Sequence, residues 1–430
     1  MRPSRLALVP SCCRTLGLSM AAGVGAVSYT PHVPNNKKNK RGNSAGHKAA
    51  PARTAPAARP LAWHQFQELN YSFYEEQPSD FINMRVELLS LMLCNEDQLA
   101  PAYAVERSIN GVQLGGTTPP SAEKRKRYMK TEAVIILHHS VEMILRLFYA
   151  HVEYTDCPWQ GMASEVNFAT FKAKVDKSLT DGFDRSAIAD IFLGGASPQD
   201  AAIAMSVEDF EDAIDGIDLL LRECCSRLLS ESFLYNAIKH GLSTIALDEE
   251  TQFARTLPDG EVVVGHKGPM FAYMHKARRP GPKKDGEREW FVTMAGTKTE
   301  RDLALSLLVA NAIESLWDVA RRRYTGRGGT IRYISKSVVE TAIYQLLMKS
   351  RNVLSEVTME MPKRLDDGSY DEVHYDFRGP KVPADIEELE GELPMDCPRI
   401  NLVVRQRDKR VFSTAKRAFY PFSPRGSQQA

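Results

Sequence analysis

The chain has 430 residues, 43% hydrophobic and 25% charged, the balance of an ordinary globular protein and enough length for two or three domains. Its formal net charge of +1 hides an asymmetry: no Asp or Glu precedes Glu68, and residues 1–67 carry ten Lys or Arg, which leaves −9 for the remainder. A body of that sign argues against a protein that coats nucleic acid with its whole surface. Five of the seven cysteines lie in that body, an odd number with no C-x-x-C pair, which speaks against a disulfide framework or a zinc site of the usual spacing. A reducing, cytoplasmic setting is expected. No run of eighteen apolar residues occurs, so no transmembrane helix and no membrane partner are expected.

Residues 1–60 are rich in Ala, Pro, Arg, Asn and Gly and read as a disordered basic tail. Within them, residues 16–27 follow three arginines and are small and apolar, like a weak signal h-region. An unstructured tail, or a later true start such as Met20, fits the same residues. From 61 to 245 the pattern is helical. Ser79 is placed to cap a helix running to about Cys94, with Phe81, Met84, Leu88 and Leu91 on one face. Residues 111–120 form a turn-rich loop without the Lys-Ser/Thr of a P-loop. Ser121 or Thr118 then starts a helix to about Val152, apolar on most sides and so central. Another helix is expected over 162–179, and Ser197-Pro198 opens a short one. Ser206 begins the longest helix. Val207, Phe210, Ile214, Ile217, Leu221, Cys224 and Leu228 repeat along it at 3-4-3-4-3-4, a heptad seam that implies packing along another helix, in the chain itself rather than in a homodimer.

After Gly241 the period changes to two. Residues 251–257 and 261–265 flank Pro258-Asp259-Gly260, and 269–276 and 288–294 flank a longer loop, so a small antiparallel sheet of about four strands is expected. Thr299 opens a helix to about Tyr324, and a further helix covers 337–349. Residues 351–430 are Pro-punctuated and read as an irregular extension, with strand-like runs at 401–405 and 410–412. The expected organisation is a tail (1–60), a helical bundle (61–245), a small sheet with packing helices (246–350) and the extension (351–430). The class is mainly α, α+β overall.

One constellation carries chemistry. At the end of the long helix Ser232, Asn236 and His240 stand four apart on one face, among the apolar Phe233, Leu234, Ala237 and Ile238. A His in the last turn before Gly241 also suits the helix dipole, so a plain helix terminus explains the same residues. The segment from Tyr235 to His240 resembles the Asn-x-x-x-His half of the motif of the HEPN superfamily of helical-bundle proteins. Many members are ribonucleases of toxin and defence systems, and others are binding modules. The resemblance implies a helical bundle with Asn236 and His240 at its polar centre. The chain departs from the motif where an Arg should stand: Phe233, Leu234 and Tyr235 occupy those positions, and Arg227 is about three and a half turns away. Metal-free RNA cleavage needs a base for the 2′-OH and a cation for the developing phosphorane charge; His240 is a base without that cation.

His138, Glu142 and Arg146, spaced i, i+4, i+8, read as an internal polar network, with Glu142 placed to orient His240. A His–Glu metal pair is the competing reading, lacking further ligands. Arg278, Arg279, Lys283 and Lys284 crowd one loop, and Arg321 and Arg322 end a helix beside Tyr324. They are the candidate RNA-backbone contacts, set against solvated charge and dipole complementation. No cofactor or metal is expected. The sequence therefore points to a degenerate, non-catalytic HEPN-like module binding RNA or a protein. An active metal-independent endoribonuclease using His240 and a structural scaffold are the alternatives.

Overall fold

The structure is a computed structural model that describes residues 63–164, 167–239, 243–256, 262–276, 290–349, 354–371, 373–384, 386 and 397–408. Helices α1 (Trp63–Phe73), α2 (Pro78–Ser90) and α3 (Glu96–Ala104) lead into a short hairpin, β1 (Arg107–Ile109) and β2 (Val112–Leu114). The loop reading of residues 111–120 is corrected at its start. Asn110 and Gly111 both have positive φ (50° and 88°), the backbone of a tight hairpin turn.

Helix α4 (Ala122–Glu153) starts where Ser121 accepts from the Lys124 amide. Then come α5 (Pro158–Ser164), α6 (Phe168–Asp181) and α7 (Arg185–Ile188), extended by a wide turn over Ala189–Leu193. The short α8 (Pro198–Ala201) is capped by Ser197. Ser206 caps α9 (Val207–Ser230), and its seam from Phe210 to Leu228 is buried within the chain against α4, α6 and a later helix. The long helix does not run through to 240. It ends at Ser230, and α10 (Ser232–Lys239) follows with Glu231 between them at φ −94°, ψ 8°. Ser230 bonds back to the Ser226 carbonyl (2.7 Å), a side-chain competition that bends helices.

Strands β3 (Thr244–Leu247), β4 (Gln252–Thr256), β5 (Val262–Lys267), β6 (Met270–Lys276) and β7 (Trp290–Gly296) come next. Helix α11 (Thr299–Thr325), strand β8 (Gly329–Arg332), helix α12 (Lys336–Met348) and strands β9 (Glu356–Glu360), β10 (Tyr375–Arg378) and β11 (Arg399–Leu402) complete the described chain. The sheet differs from expectation. β4 and β5 form a ribbon apart, while β10-β9-β7-β6-β3 make one antiparallel sheet. The extension read as irregular thus supplies two of its strands, and β11 pairs with β8. The predicted turn at 258–260 and strand-like run at 410–412 lie outside the described residues.

Helices α2, α4, α6, α9, α11 and α12 share one apolar core, with Ile144, Leu145, Phe192, Leu221, Ile313 and Trp317 at its centre. Gly216 lets α9 touch the chain entering α12: a Cβ there would lie 2.3 Å from the Ile334 carbonyl. Helices α4 and α11 are long and apolar enough to cross a membrane, but 72% and 78% of their apolar windows are buried inside the fold. A second cluster joins bundle to sheet, with Leu234 and Ile238 of α10 packed between Val134 of α4 and Phe271 and Tyr273 of β6. The apolar face expected on α2 is corrected: Ile82 and Leu89 are buried, whereas Phe81, Met84, Leu88 and Leu91 face outward.

Candidate functional site

The break between α9 and α10 creates a concentration of buried charge. Arg227, on the last turn of α9, donates to Glu223 (2.6 Å) and to Glu231 at the break. The second Glu231 oxygen lies 3.7 Å from Nε2 of the buried His138 on α4. The first turn of α11 adds Arg301 and Asp302, both buried, with Arg301 Nε 3.9 Å from Asp302 Oδ1. Arg301 Nε, Asp302 Oδ1 and His138 Nε2 have no hydrogen-bond partner among the described residues, a rare condition for buried polar atoms.

The charges set one another's protonation. Burial pulls His138 down to about 4, so it is neutral at pH 7. Burial works to raise the Glu231 carboxyl, but Arg227, His138 and Arg301 outweigh it and hold it below the usual range. Asp302 goes the other way: burial raises it despite Arg301 and Arg227. Burial also lowers Arg301, with Arg227 adding like-charge repulsion. A carboxyl pushed up and a guanidinium pushed down, side by side in a cleft, are the marks of a site rather than of a surface ion pair.

Tyr235 ties α10 to α4. Its ring lies flat on His138, with centroids 4.6 Å apart and planes 12° apart, and its hydroxyl is 2.7 Å from Nε2 of His139. The other nitrogen of His139 is 2.8 Å from Arg85, which also holds Glu132 at 3.0 Å. A guanidinium only donates, so His139 Nδ1 accepts and Nε2–H donates to Tyr235. Burial and Arg85 both lower the His139 pKa, in keeping with a neutral ring.

Two chambers open around the break. The inner one, about 530 Å³, lies between the charge cluster, α12 and residues 378–383. The outer one, about 580 Å³, lies between Lys172 of α6 and the sheet. Ser230, Tyr273, Glu356 and Arg378 line both. The outer chamber is aromatic: Phe233 stacks on His275 (4.6 Å), and His275 on Phe291 (5.7 Å). His275 Nε2 is 2.9 Å from the Thr293 hydroxyl, which continues to Thr358 (2.8 Å). Arg378 bonds Glu356 (3.3 Å) and Asp376 (3.4 Å) at its rim, and burial raises the Glu356 carboxyl.

Of the residues singled out in the sequence, Asn236 is half-buried on α10, and Glu142 is engaged by Arg146 at 2.8 Å, the pairing expected. His240, Arg278, Arg279, Lys283 and Lys284 lie outside the described residues. Arg321 is tied to Asp318. Arg322 is corrected as a candidate RNA contact: it is fully buried and bonded to the carbonyls of Ala201 (2.6 Å), Gly194 (3.1 Å) and Val403 (3.1 Å), so no phosphate can reach it. His138 faces Glu231 at 3.7 Å, and among the described residues no group of three or more His, Cys, Asp or Glu side chains is arranged to hold an ion. Sequence reasoning missed Arg301 and Asp302, whose only local signal is a charged first helical turn. It also passed over Tyr235. No protein-family model, characterised protein or solved structure matches this chain.

Proposed function

We propose that this protein is a non-catalytic binding module, of the degenerate HEPN-like kind its Asn236–His240 segment resembles, and that its ligand is a protein segment held in the two-chambered cleft. The carrying observation is the buried pair Arg301–Asp302, whose Nε and Oδ1, a donor and an acceptor, have no hydrogen-bond partner among the described residues and stand beside a chamber of peptide-sized volume. A peptide backbone offers acceptor and donor together, whereas a phosphodiester offers acceptors alone. Charge fits the same choice: acidic and basic side chains are interspersed around both chambers, without the excess of Lys and Arg that a polyanion would call for. The aromatic wall of Phe233, His275 and Phe291 then takes an apolar or aromatic side chain of the ligand.

The test is selection of a random displayed-peptide library on the full chain and on Arg301→Met/Asp302→Leu, beside gel-shift and cleavage assays with single-stranded RNA in EDTA. Peptides retained by the native protein and lost on the double variant support the reading. RNA binding without peptide selection replaces the ligand class, and RNA cleavage that disappears in His240→Ala makes the protein an endoribonuclease.

A further inference from the structure

The outward face of α2 is built like an interface. Phe81, Met84 and Leu88 on the helix, and Leu91 on the turn that continues it, are 54%, 61%, 59% and 47% exposed. Each leaves roughly 100 Å² of apolar surface in water, and with Leu93 and Tyr128 the patch reaches about 600 Å², the upper end of what a monomer exposes and close to the ~800 Å² per partner of a stable complex.

The pattern names the occupant. Spacing of 3-4-3 is a coiled-coil seam, which seats another helix. It is also palindromic about position 86. Laid antiparallel on itself, the seam sets Phe81 opposite Leu91 and Met84 opposite Leu88 of the other strand, the self-matching that a two-fold interface requires. A hole is present for the largest knob: a groove of about 300 Å³ between α2 and α4, with Leu88, Leu91, Met92 and Ile136 in its wall and the Arg85–Glu132 pair beside them, lies at the level where a second Phe81 arrives. Beside the seam, Arg85 lies over the Phe81 ring at 5.5 Å and its charge is already paired with Glu132, while its other bond goes to His139.

We propose that α2 is the two-fold interface of a homodimer, with two copies of this chain packing their α2 helices antiparallel through Phe81, Met84, Leu88 and Leu91. Because Arg85 leads through His139 to Tyr235, the interface adjoins the polar relay of each copy. The dimer does not depend on the nature of the cleft's ligand.

Sedimentation equilibrium of the full chain, with Leu88→Glu in parallel, tests this. Twice the chain mass for the native protein at micromolar concentration, and single mass with a native circular-dichroism spectrum for Leu88→Glu, is the expected result. A native monomer, or a variant that stays dimeric, overturns the proposal. Should Leu88→Glu fold poorly, Met84→Cys/Leu88→Cys gives an independent reading: mild oxidation is expected to link two chains covalently in the double variant and not in the native protein. Absence of that cross-link overturns the antiparallel interface.

Discussion

Helix α11 carries a buried arginine at each end, and the two are opposites. Arg322, near the C-terminus, spends its terminal nitrogens on three carbonyls and has the carboxylate of Asp408 3.6 Å from its Nε. Arg405 bonds the same Asp408 (2.8 Å) and the same Gly194 carbonyl, so this knot fastens the end of the described chain to the turn after α7. Arg301, near the N-terminus, has no side-chain hydrogen bond among the described residues, and its Nε is 3.9 Å from Asp302. Burial lowers both guanidinium pKa values, that of Arg322 to about 10. The difference is in the terminal nitrogens rather than in burial or in Nε, which is unbonded in both among the described residues. Those of Arg322 are fastened to backbone carbonyls, whereas the Arg301 side chain has no hydrogen bond among the described residues. A guanidinium fastened to the backbone is architecture, whereas an unfastened one beside a cavity is available to a ligand.

The contrast breaks most sharply at Arg322. Arg322→Met takes the donor from the buried Ala201 and Val403 carbonyls and leaves Asp408 and the Gly194 carbonyl to Arg405 alone, and urea titration is expected to show a loss of about 3–5 kcal/mol. A loss below about 1 kcal/mol would remove the distinction between the two ends. Two buried histidines extend it. His151 is saturated, donating from Nδ1 to the Leu147 carbonyl (2.6 Å) and accepting from Tyr74 at Nε2 (2.7 Å), whereas His138 Nε2 is not. Burial lowers each to about 4, against 6.5 for the free side chain. A folded-state pKa below the unfolded one means that the unfolded chain takes up the proton first. Stability is therefore full above pH 6.5 and falls as pH drops towards 4, by about 3 kcal/mol per histidine. Denaturant midpoints at pH 7, 5.5 and 4.5 check this, and a flat profile would show that these rings are not held neutral. Next in size is Tyr235→Phe, which removes the His139 bond and keeps the stack on His138; about 1 kcal/mol is expected by thermal unfolding. Smallest in stability is Arg301→Met/Asp302→Leu. Replacing an unsaturated buried pair by apolar groups is expected to leave the melting temperature unchanged or raised, while peptide binding is lost. A large destabilisation would place Arg301 with Arg322.

Legibility in the sequence followed the range of the interactions. Helix starts at Ser121, Ser197 and Ser206 were readable because a cap is decided within four residues. The α9 seam was readable because seven positions repeat the same spacing. The α2 stripe has the same spacing, yet it faces out, because Ile82 and Leu89 offer a competing face and only the packed bundle chooses between them. The hairpin at Asn110-Gly111 had a local signal that was passed over among the glycines that follow. The charge cluster had no signal that joins its members: His138, Arg227, Glu231 and Asp302 come from three helices and the break between two of them, and their proximity follows from that break, where Ser230 bonds backward, which does not show in hydrophobic periodicity. Tyr235 stood where the resemblance called for an arginine, and the structure gives it the contact with α4.

The order of the sheet has a consequence for how the chain is made. β7 pairs on one side with β6, its neighbour in sequence, but on the other with β9, which emerges only after residues 297–355, including α11 and α12, have been synthesised. At ~5–20 residues per second, the nascent β7 stands as an open edge for about 3–12 seconds. Unpaired edges recruit other strands, so between β7 and β9 the chain leaving the ribosome exposes an edge that a neighbouring nascent chain could occupy.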